Sequence, residues 1–231
     1  MREKIVAGNW KMNNDRDEGL KLMSDIQQDL NGNPVLDVKV IVAPPYPFLG
    51  TLNSTDKVKL SGQNCHSEES GAFTGEVSPS ILKSFGCEYC IVGHSERREY
   101  FGETDELINR KIQLLLQNGI KPIYCCGELL EDRAAERQFE VIEEQIQSGL
   151  EGFKKDELLQ MVIAYEPVWA IGTGETATPD QAQEMHAFIR NKLSRVMGND
   201  SDKISILYGG SVNPSNAKEL FSQPDIDGGL I

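Results

Sequence analysis

Short apolar runs recur along the chain, and eight of them have the composition of β-strands. Most of these runs are continuous rather than alternating with polar residues. Continuous runs are typical of strands that are buried on both faces, as in a parallel sheet covered by helices. The eight runs span residues 5–8, 38–43, 58–62, 90–93, 122–126, 161–165, 204–208 and 228–231.

The segments between the runs carry apolar residues at helical spacing. Alternating strands and helices predict parallel strands joined by right-handed crossovers, and eight such units favour a closed barrel over an open sheet. The expected fold is therefore α/β, a (β/α)8 barrel formed by residues 1–231 as a single domain, in which no helix follows the eighth strand. The helical stripes lie within residues 20–30, 108–115, 139–146 and 185–196, with shorter pieces at 78–85 and 216–221 and a weak one at 45–52.

The composition of the chain disfavours several classes of binding partner. The chain has 23 Lys and Arg against 36 Asp and Glu, a net charge of −13, which disfavours binding to nucleic acid or to an anionic membrane. No apolar run approaches the ~18 residues of a membrane span, and the sequence does not open like a signal peptide. The five cysteines, an odd number in a chain of this size, predict reduced thiols in the cytoplasm.

The polar residues that could take part in catalysis or binding follow the predicted strands rather than precede them. In a barrel of parallel strands the carboxyl ends meet at one face, so these residues predict a single active site there. They are Asn9 and Lys11 after the first strand, Asn64 after the third, His94, Ser95 and Glu96 after the fourth, Glu128 after the fifth, Glu166 after the sixth and Ser211 after the seventh.

The segment 163–178 has the features of a catalytic base beneath a lid. Glu166 ends a strand, because Pro167 cannot extend the hydrogen-bonded ladder. The apolar, glycine-punctuated residues that follow are predicted to fold over a ligand. Thr178, Pro179 and Gln181 then form the expected start of a helix.

A carboxylate, a histidine, a lysine and small-residue loops suit proton abstraction next to a carbonyl group. Glu166 would take the proton, His94 would donate to the substrate oxygens, and Lys11 with Asn9 would offset the developing negative charge. Gly172 and Ser211 would offer backbone N–H groups to a phosphate. The alternatives are a solvated glutamate, a histidine that only caps the following turn, and a surface lysine.

Other motifs are interpreted as structural. The sequence from Gly172 to Ala177 matches a dinucleotide-binding fingerprint, but residues 167–171 separate it from the strand that it should follow directly. His66 and His186 are expected at the surface, and Cys87 and Cys90 as buried thiols rather than a redox pair. The histidines have no ligand-like spacing, so no zinc site is predicted.

Four motifs resemble the triosephosphate isomerase family, in the family's order and with similarity along essentially all 231 residues. They are residues 8–13 (GNWKMN), 93–98 (GHSERR), 165–174 (YEPVWAIGTG) and 208–212 (YGGSV). The resemblance implies a TIM barrel that interconverts dihydroxyacetone phosphate and glyceraldehyde 3-phosphate without metal or cofactor.

By that resemblance Glu166 is the base and His94 the electrophile. Lys11 and Asn9 bind the substrate and supply electrostatic stabilisation, and Glu96 is the glutamate that the family keeps near the lysine.

The resemblance also implies a homodimer in which the loop from Gly71 to Glu76 inserts into the partner subunit. Exposure of the Phe73 side chain in this loop to water is unfavourable, which agrees with its burial against a partner subunit. The family's pattern continues beyond residue 231 with a glycine-rich turn and a final helix, about 20 residues in all. Either the sequence given omits this tail, or the chain is truncated. The alternative function is then a catalytically weak remnant that acts as a binding or scaffolding protein.

Overall fold

Eight parallel strands close into a barrel in which every strand pairs with its neighbours in sequence. The computed structural model describes residues 2–35, 37–171 and 176–231. The last strand closes on the first, with Ile5 opposite Gly228, so the predicted barrel is confirmed. The strands are β1 Lys4–Asn9, β2 Val38–Ala43, β3 Val58–Gly62, β4 Tyr89–Val92, β5 Lys121–Cys126, β6 Val162–Tyr165, β7 Ile206–Tyr208 and β8 Gly228–Leu230.

Helices surround the strands, and the four long apolar stripes all fall on helices. Three short helices, α3, α5 and α7, lie in segments where no helix was predicted. The weak prediction at residues 45–52 corresponds to a single 3-10 turn at Tyr46–Phe48. The helices are α1 Arg16–Gly32, α2 Pro79–Ser84, α3 Ser95–Phe101, α4 Asp105–Gln117, α5 Leu130–Ala134, α6 Gln138–Gly149, α7 Lys155–Leu158, α8 Pro179–Met197 and α9 Ala217–Phe221.

The strands are buried on both faces, which explains their continuous apolar runs. One set of side chains, including Ile5, Ile41 and Ile91, fills the barrel interior. The other set, including Leu60 and Ile163, packs against the surrounding helices. Burial at successive positions removes the alternation that a half-exposed strand would show.

Local sequence sets the start of α8, the helix that follows the glycine-punctuated segment. The Thr178 side chain accepts a hydrogen bond from the Gln181 N–H, and the Gln181 side chain accepts one from the Thr178 N–H. Pro179 occupies the first helical position, where its missing N–H has no cost. The predicted helix start is therefore confirmed.

Two further sequence expectations can be compared with the structure. All five cysteines are free and buried, as Cys87 and Cys90 were predicted to be. Among the residues that the structure describes, no helix is long and apolar enough to cross a membrane.

Candidate active site

A cavity of about 280 Å³ lies at the carboxyl ends of the strands and contains most of the predicted site residues. Residues at or after the ends of five strands contribute to it, which brings together residues up to 222 positions apart in the sequence. Gly172 was also predicted to contribute but falls outside the described residues. The predicted members that line the cavity are Asn9, Lys11, His94, Glu166 and Ser211.

Glu166 is the most deeply buried carboxylate of this cavity. Its Oε2 accepts a hydrogen bond from the Ser95 N–H at 2.9 Å, and its Oε1 accepts one from the Ser95 hydroxyl at 3.2 Å. Burial raises the pKa of Glu166, while His94, Ser95 and Lys11 oppose that rise. A carboxyl group with a raised pKa is a stronger proton acceptor when ionised than an ordinary glutamate.

Two glycines allow the chain to pack this tightly around Glu166. A Cβ on Gly127 would lie 1.9 Å from the Glu166 carbonyl oxygen, and one on Gly209 would lie 2.9 Å from the Glu166 Cγ. Both distances are shorter than van der Waals contact. Neither contact could be predicted from the sequence, because the glycines follow other strands, β5 and β7.

His94 caps helix α3 and also lines the cavity, so its capping role does not exclude it from the site. Its Nδ1 accepts a hydrogen bond from the Glu96 N–H at 3.2 Å. An accepting Nδ1 places the single proton of a neutral imidazole on Nε2. Nε2 lies 3.0 Å from Glu166 Oε1, and its N–H is therefore directed at the region beside the carboxylate.

Lys11 has a left-handed backbone conformation, with φ of +52°. Its N–H donates to Asn9 Oδ1 at 3.1 Å, and its carbonyl oxygen accepts from the Gln63 side chain at 2.8 Å. The ammonium group donates to Glu96 Oε1 at 2.7 Å. An unfavourable backbone conformation that neighbouring groups hold in place is characteristic of functional sites. Glu96 thus contacts the lysine without lining the cavity.

The loop after β7 supplies the other side of the cavity. The Ser211 hydroxyl donates to the Ala170 carbonyl oxygen at 3.1 Å, which ties this loop to the segment after Glu166. A Cβ on Gly210 would lie 2.3 Å from the Tyr208 hydroxyl oxygen, so the chain needs glycine there. These small residues leave the backbone accessible from the cavity.

Glu128, which was predicted at the carboxyl face, holds the segment after Glu166 instead of lining the cavity. Its Oε1 accepts hydrogen bonds from the Trp169 indole N–H at 2.8 Å and the Tyr165 hydroxyl at 3.0 Å, and lies 3.1 Å from Arg133 Nη1. Burial raises the pKa of Glu128, and these three donors oppose the rise. Glu128 is therefore a structural anchor for residues 168–170.

Asn64 also lies outside the cavity, in a buried polar network. Its Oδ1 accepts from the Lys111 ammonium group at 2.8 Å, and Lys111 also donates to Glu103 Oε1 at 2.6 Å. Arg97 donates to the same Glu103 oxygen. This network fixes the beginning of the long loop that contains Phe73.

One histidine prediction is wrong. His186 is fully buried rather than at the surface. It lies on α8, with its ring 5.8 Å from the ring of Tyr165, and its Nδ1 is 3.3 Å from the Asp225 carbonyl oxygen. Its neighbours come from distant parts of the chain, so local sequence did not indicate burial. His66 is half-buried and packs against Phe73, with 4.3 Å between the ring centroids.

Charged residues at the other end of the barrel form a different environment. A depression of about 570 Å³ there is lined by Arg2, Lys4, Lys39 and neighbouring residues and includes none of the predicted site residues. Its charges are largely engaged in ion pairs, such as Lys39 with Glu3 at 2.7 Å. The predicted site residues therefore lie at the smaller cavity, at the carboxyl ends of the strands.

The family model and the curated relatives that match this chain agree on one protein family. A family model described as triosephosphate isomerase matches residues 4–231. Curated relatives named triosephosphate isomerase include one from Chlorobium phaeovibrioides (strain DSM 265 / 1930), 51% identical over 235 residues, which aligns with all of this chain and 93% of the relative. Others are from Bacteroides fragilis (strain YCH46), at 49% identity over 236 residues, and Porphyromonas gingivalis (strain ATCC BAA-308 / W83), at 47% over 235, each with the same coverage.

Proposed function

The chain belongs to the triosephosphate isomerase family, and on that basis we propose that it interconverts dihydroxyacetone phosphate and D-glyceraldehyde 3-phosphate. The observation that carries the proposal is the buried carboxylate of Glu166 beside the Nε2 of His94, in a cavity that also contains Lys11. Proton transfer next to a carbonyl group needs these three functions: a base, a hydrogen-bond donor and a cation. The reaction moves hydrogen within one molecule and requires no external oxidant or reductant.

Glu166 is the proposed base. Its carboxylate takes a proton from the substrate carbon next to the carbonyl group and returns it to the neighbouring carbon through an enediolate intermediate. In the present structure both carboxylate oxygens accept hydrogen bonds from Ser95. Catalysis therefore requires the side chain to leave Ser95 and turn into the front of the cavity, where the substrate would lie.

His94 and Lys11 are proposed to stabilise the charge that develops on the substrate oxygens. The neutral imidazole donates its Nε2 hydrogen to the carbonyl oxygen, and Asn9 and the Lys11 ammonium group offset the negative charge. Glu96 positions the ammonium group through its 2.7 Å contact. Hydrogen bonds aimed at developing charge in a dry cavity commonly supply the largest part of a rate enhancement.

Ser211 and Gly172 are proposed to bind the phosphate group through backbone N–H groups. The protein carries a net charge of −13, so its overall field repels a phosphorylated substrate. Local donors must overcome that repulsion. Lys11 is the cationic member of the cavity lining.

Substitution of Glu166 by Asp tests the assignment of the base. Aspartate withdraws the carboxylate by one methylene group, and a misplacement of ~1 Å costs on the order of 100-fold in rate. The measurement is turnover of glyceraldehyde 3-phosphate by the purified variant. Glu88→Asp, at a partly exposed ion pair with Lys59, is the matched control and should retain full activity. Near-wild-type turnover by Glu166→Asp would mean that another residue is the base.

We further propose that the chain forms a homodimer through the loop from Gly71 to Glu76. Phe73 in this loop is 43% exposed, and the large side chains of Met12, Tyr100 and Phe101 are also exposed at the carboxyl face. They follow β1, β3 and β4, which fall within the consecutive strands β1 to β4, so these apolar groups lie on the same half of the barrel. Covering them with a second copy would remove a large apolar area from water.

Sedimentation of Phe73→Ser tests the dimer. Removing the ring from the proposed contact should shift the protein from twice the chain mass of 25.7 kDa towards the single-chain mass. Leu159→Ser, a change at an exposed apolar residue just before β6 and thus at the opposite face, should sediment like the unmodified protein. Equal masses for the two variants would contradict the proposed interface.

A reducing cytoplasm is the proposed location, since five free, buried cysteines are unusual in an oxidising compartment. No metal or other cofactor is part of the proposed mechanism. The family membership and the assembled cavity favour catalysis over the alternative of a scaffolding protein.

A further inference from the structure

A second cavity, of about 310 Å³, lies behind Glu166, on the side away from Lys11. We call it the rear cavity. Glu166 is part of the lining of both the rear cavity and the candidate active-site cavity, which we call the front cavity, whereas Lys11, Asn9 and Ser211 line only the front one. The rear cavity is lined by Ser95 and Glu99 of α3, Gly127, Leu129, Val141 of α6 and Val168, together with Arg98, Asp132 and Gln145.

The rear cavity offers an apolar surface to a ligand. Leu129, Val141 and Val168 converge on it, and Leu129 is 44% exposed even though its neighbours Glu128 and Asp132 are buried. The volume is at the lower end of the ~300–1,000 Å³ range of small-molecule sites. An apolar cavity of this volume is therefore suited to one ring or one branched aliphatic group.

The charge around the rear cavity is negative. Glu99, Asp132 and Glu166 contribute carboxyl groups to the lining, against one cation, Arg98. The Arg98 guanidinium donates to Asp105 at 2.7 Å and to the Gly93 carbonyl oxygen at 2.8 Å, so it is already engaged.

Asp132 is paired with Arg137, at 2.7 Å. Glu99 is exposed, and within the described part of the chain no ion pair neutralises it. Charge complementarity in a protein of net charge −13 favours a cationic ligand over an anionic one.

We propose that the rear cavity is a regulatory site for small organic cations, molecules with a primary ammonium group on an aromatic or branched aliphatic body. The body packs against Leu129, Val141 and Val168, and the ammonium group lies near Glu99. The occupant stabilises the position of Glu166 against Ser95 that the structure shows.

The consequence for turnover rests on the proposed isomerase function, whereas binding does not. A ligand that contacts Glu166 in one position shifts the equilibrium towards that position by its difference in affinity. Because the substrate would occupy the front cavity, the two do not compete for space. The ligand is therefore expected to lower kcat more than it raises KM.

Binding is tested with the 2-phenylethylammonium ion and, as a neutral probe of nearly the same shape, 2-phenylethanol. Titrations followed by calorimetry or NMR should show tighter binding of the cation, by about threefold or more, in keeping with one partly exposed charge. Glu99→Gln should remove this preference. Glu140→Gln, which removes the same charge from an exposed position on α6 outside the rear cavity, should retain it. Equal loss in both variants would overturn the role of Glu99.

Val141→Trp tests the location of the site, because the larger ring fills the rear cavity. The variant should lose binding of both probes while retaining turnover in their absence. Leu129→Ala removes apolar surface instead and should weaken both probes several-fold, so the location is tested even when the tryptophan disturbs folding. Unchanged binding by Leu129→Ala, or by a folded Val141→Trp, would place the probe elsewhere and overturn the proposal.

Kinetics separate the proposal from the isomerase assignment. Saturating 2-phenylethylammonium should lower the kcat of the unmodified protein and leave that of Val141→Trp unchanged. Binding with no change in kcat would overturn the regulatory role. An inactive protein that still binds the probe at the rear cavity would instead overturn the proposed isomerase function while the binding site stands.

Discussion

Each end of the barrel contains a buried carboxylate, and the two carboxylates are surrounded by different kinds of hydrogen-bond donor. At the amino end, Asp227 is fully buried and lies 2.7 Å from Arg2 Nε, 3.3 Å from Lys4 Nζ and 2.8 Å from Arg190 Nη2. At the carboxyl end, Glu166 is also buried, but its nearest donors are Ser95 and the Nε2 of His94. One carboxylate is paired with three lysine and arginine side chains, and the other contacts a serine and an imidazole.

The difference follows from what each carboxylate does. Asp227 precedes β8 and accepts a hydrogen bond from the Ile206 N–H of β7 at 3.0 Å, so it helps to close the barrel. A charge used for closure should be fully paired, because an unpaired buried charge destabilises the fold. As the proposed base, Glu166 would have to leave its donors and accept a proton, and full pairing would make it a weak base. The comparison therefore separates stability at one end from reactivity at the other.

Glu166→Gln should give the largest effect on activity. The amide keeps the shape of the side chain but cannot accept the proton, so turnover should fall by roughly 1,000-fold, within the usual range for removal of a general base. Burial raises the pKa of Glu166, which means that folding disfavours its ionised form at neutral pH. The neutral amide removes that cost. The unfolding free energy, measured in urea at pH 7, should therefore equal or exceed that of the unmodified protein, and a clear loss of stability would contradict the contrast between the two ends.

Asp227→Asn should have the reverse effect: a large loss of stability and little change in turnover. It leaves Arg2 and Arg190 facing a neutral group, and breaking a buried ion pair costs about 3–5 kcal/mol. Urea unfolding measures this loss, while turnover of the folded fraction should change little. Glu88→Gln removes a partly exposed pair with Lys59 and should cost less than about 1 kcal/mol. A marked fall in turnover for folded Asp227→Asn would show that the two ends are not separable.

The sequence predicted one end of the barrel much better than the other. Glu166 was identifiable because strand, carboxylate, proline and apolar loop are contiguous, and His94 and Lys11 because each follows a strand. Asp227 has no such local pattern, since its cationic partners lie 225 and 37 positions away along the chain. Only the closed barrel brings these charges together.

The same reasoning explains the other differences between sequence and structure. Glu128 follows a strand like the site residues, but its direction towards Tyr165 and Trp169 depends on packing across two strands. The glycines that accommodate Glu166 are likewise set by contacts between strands. Periodicity and strand ends define which element a residue belongs to, and they do not define where its side chain points.

His186 provides a third buried titratable group and a smaller effect that depends on pH. Burial lowers the pKa of His186 to about 4, although Asp225 and Asp227 favour its charged form; Arg190 opposes it. The folded protein therefore binds a proton less readily than the unfolded chain, whose histidine pKa is about 6.5. The stability that neutral His186 contributes is present above pH ~6.5 and is lost as the pH falls towards 4.

His186→Asn tests this pH dependence, because asparagine has no charge to gain and can still donate to the Asp225 carbonyl oxygen. Between pH 6.5 and pH 5 the unmodified protein should lose about 1.5 kcal/mol of unfolding free energy through this residue, and the variant should lack that loss. Urea unfolding at each pH measures the difference between the two proteins, so other groups that titrate in the same range cancel. Between pH 7 and pH 8 His186 is neutral in both states, and the two proteins should change in parallel. Parallel behaviour below pH 6.5 as well would mean that folding leaves the proton affinity of His186 unchanged, and that the paired charges around Asp227 and Asp225 compensate fully for its burial.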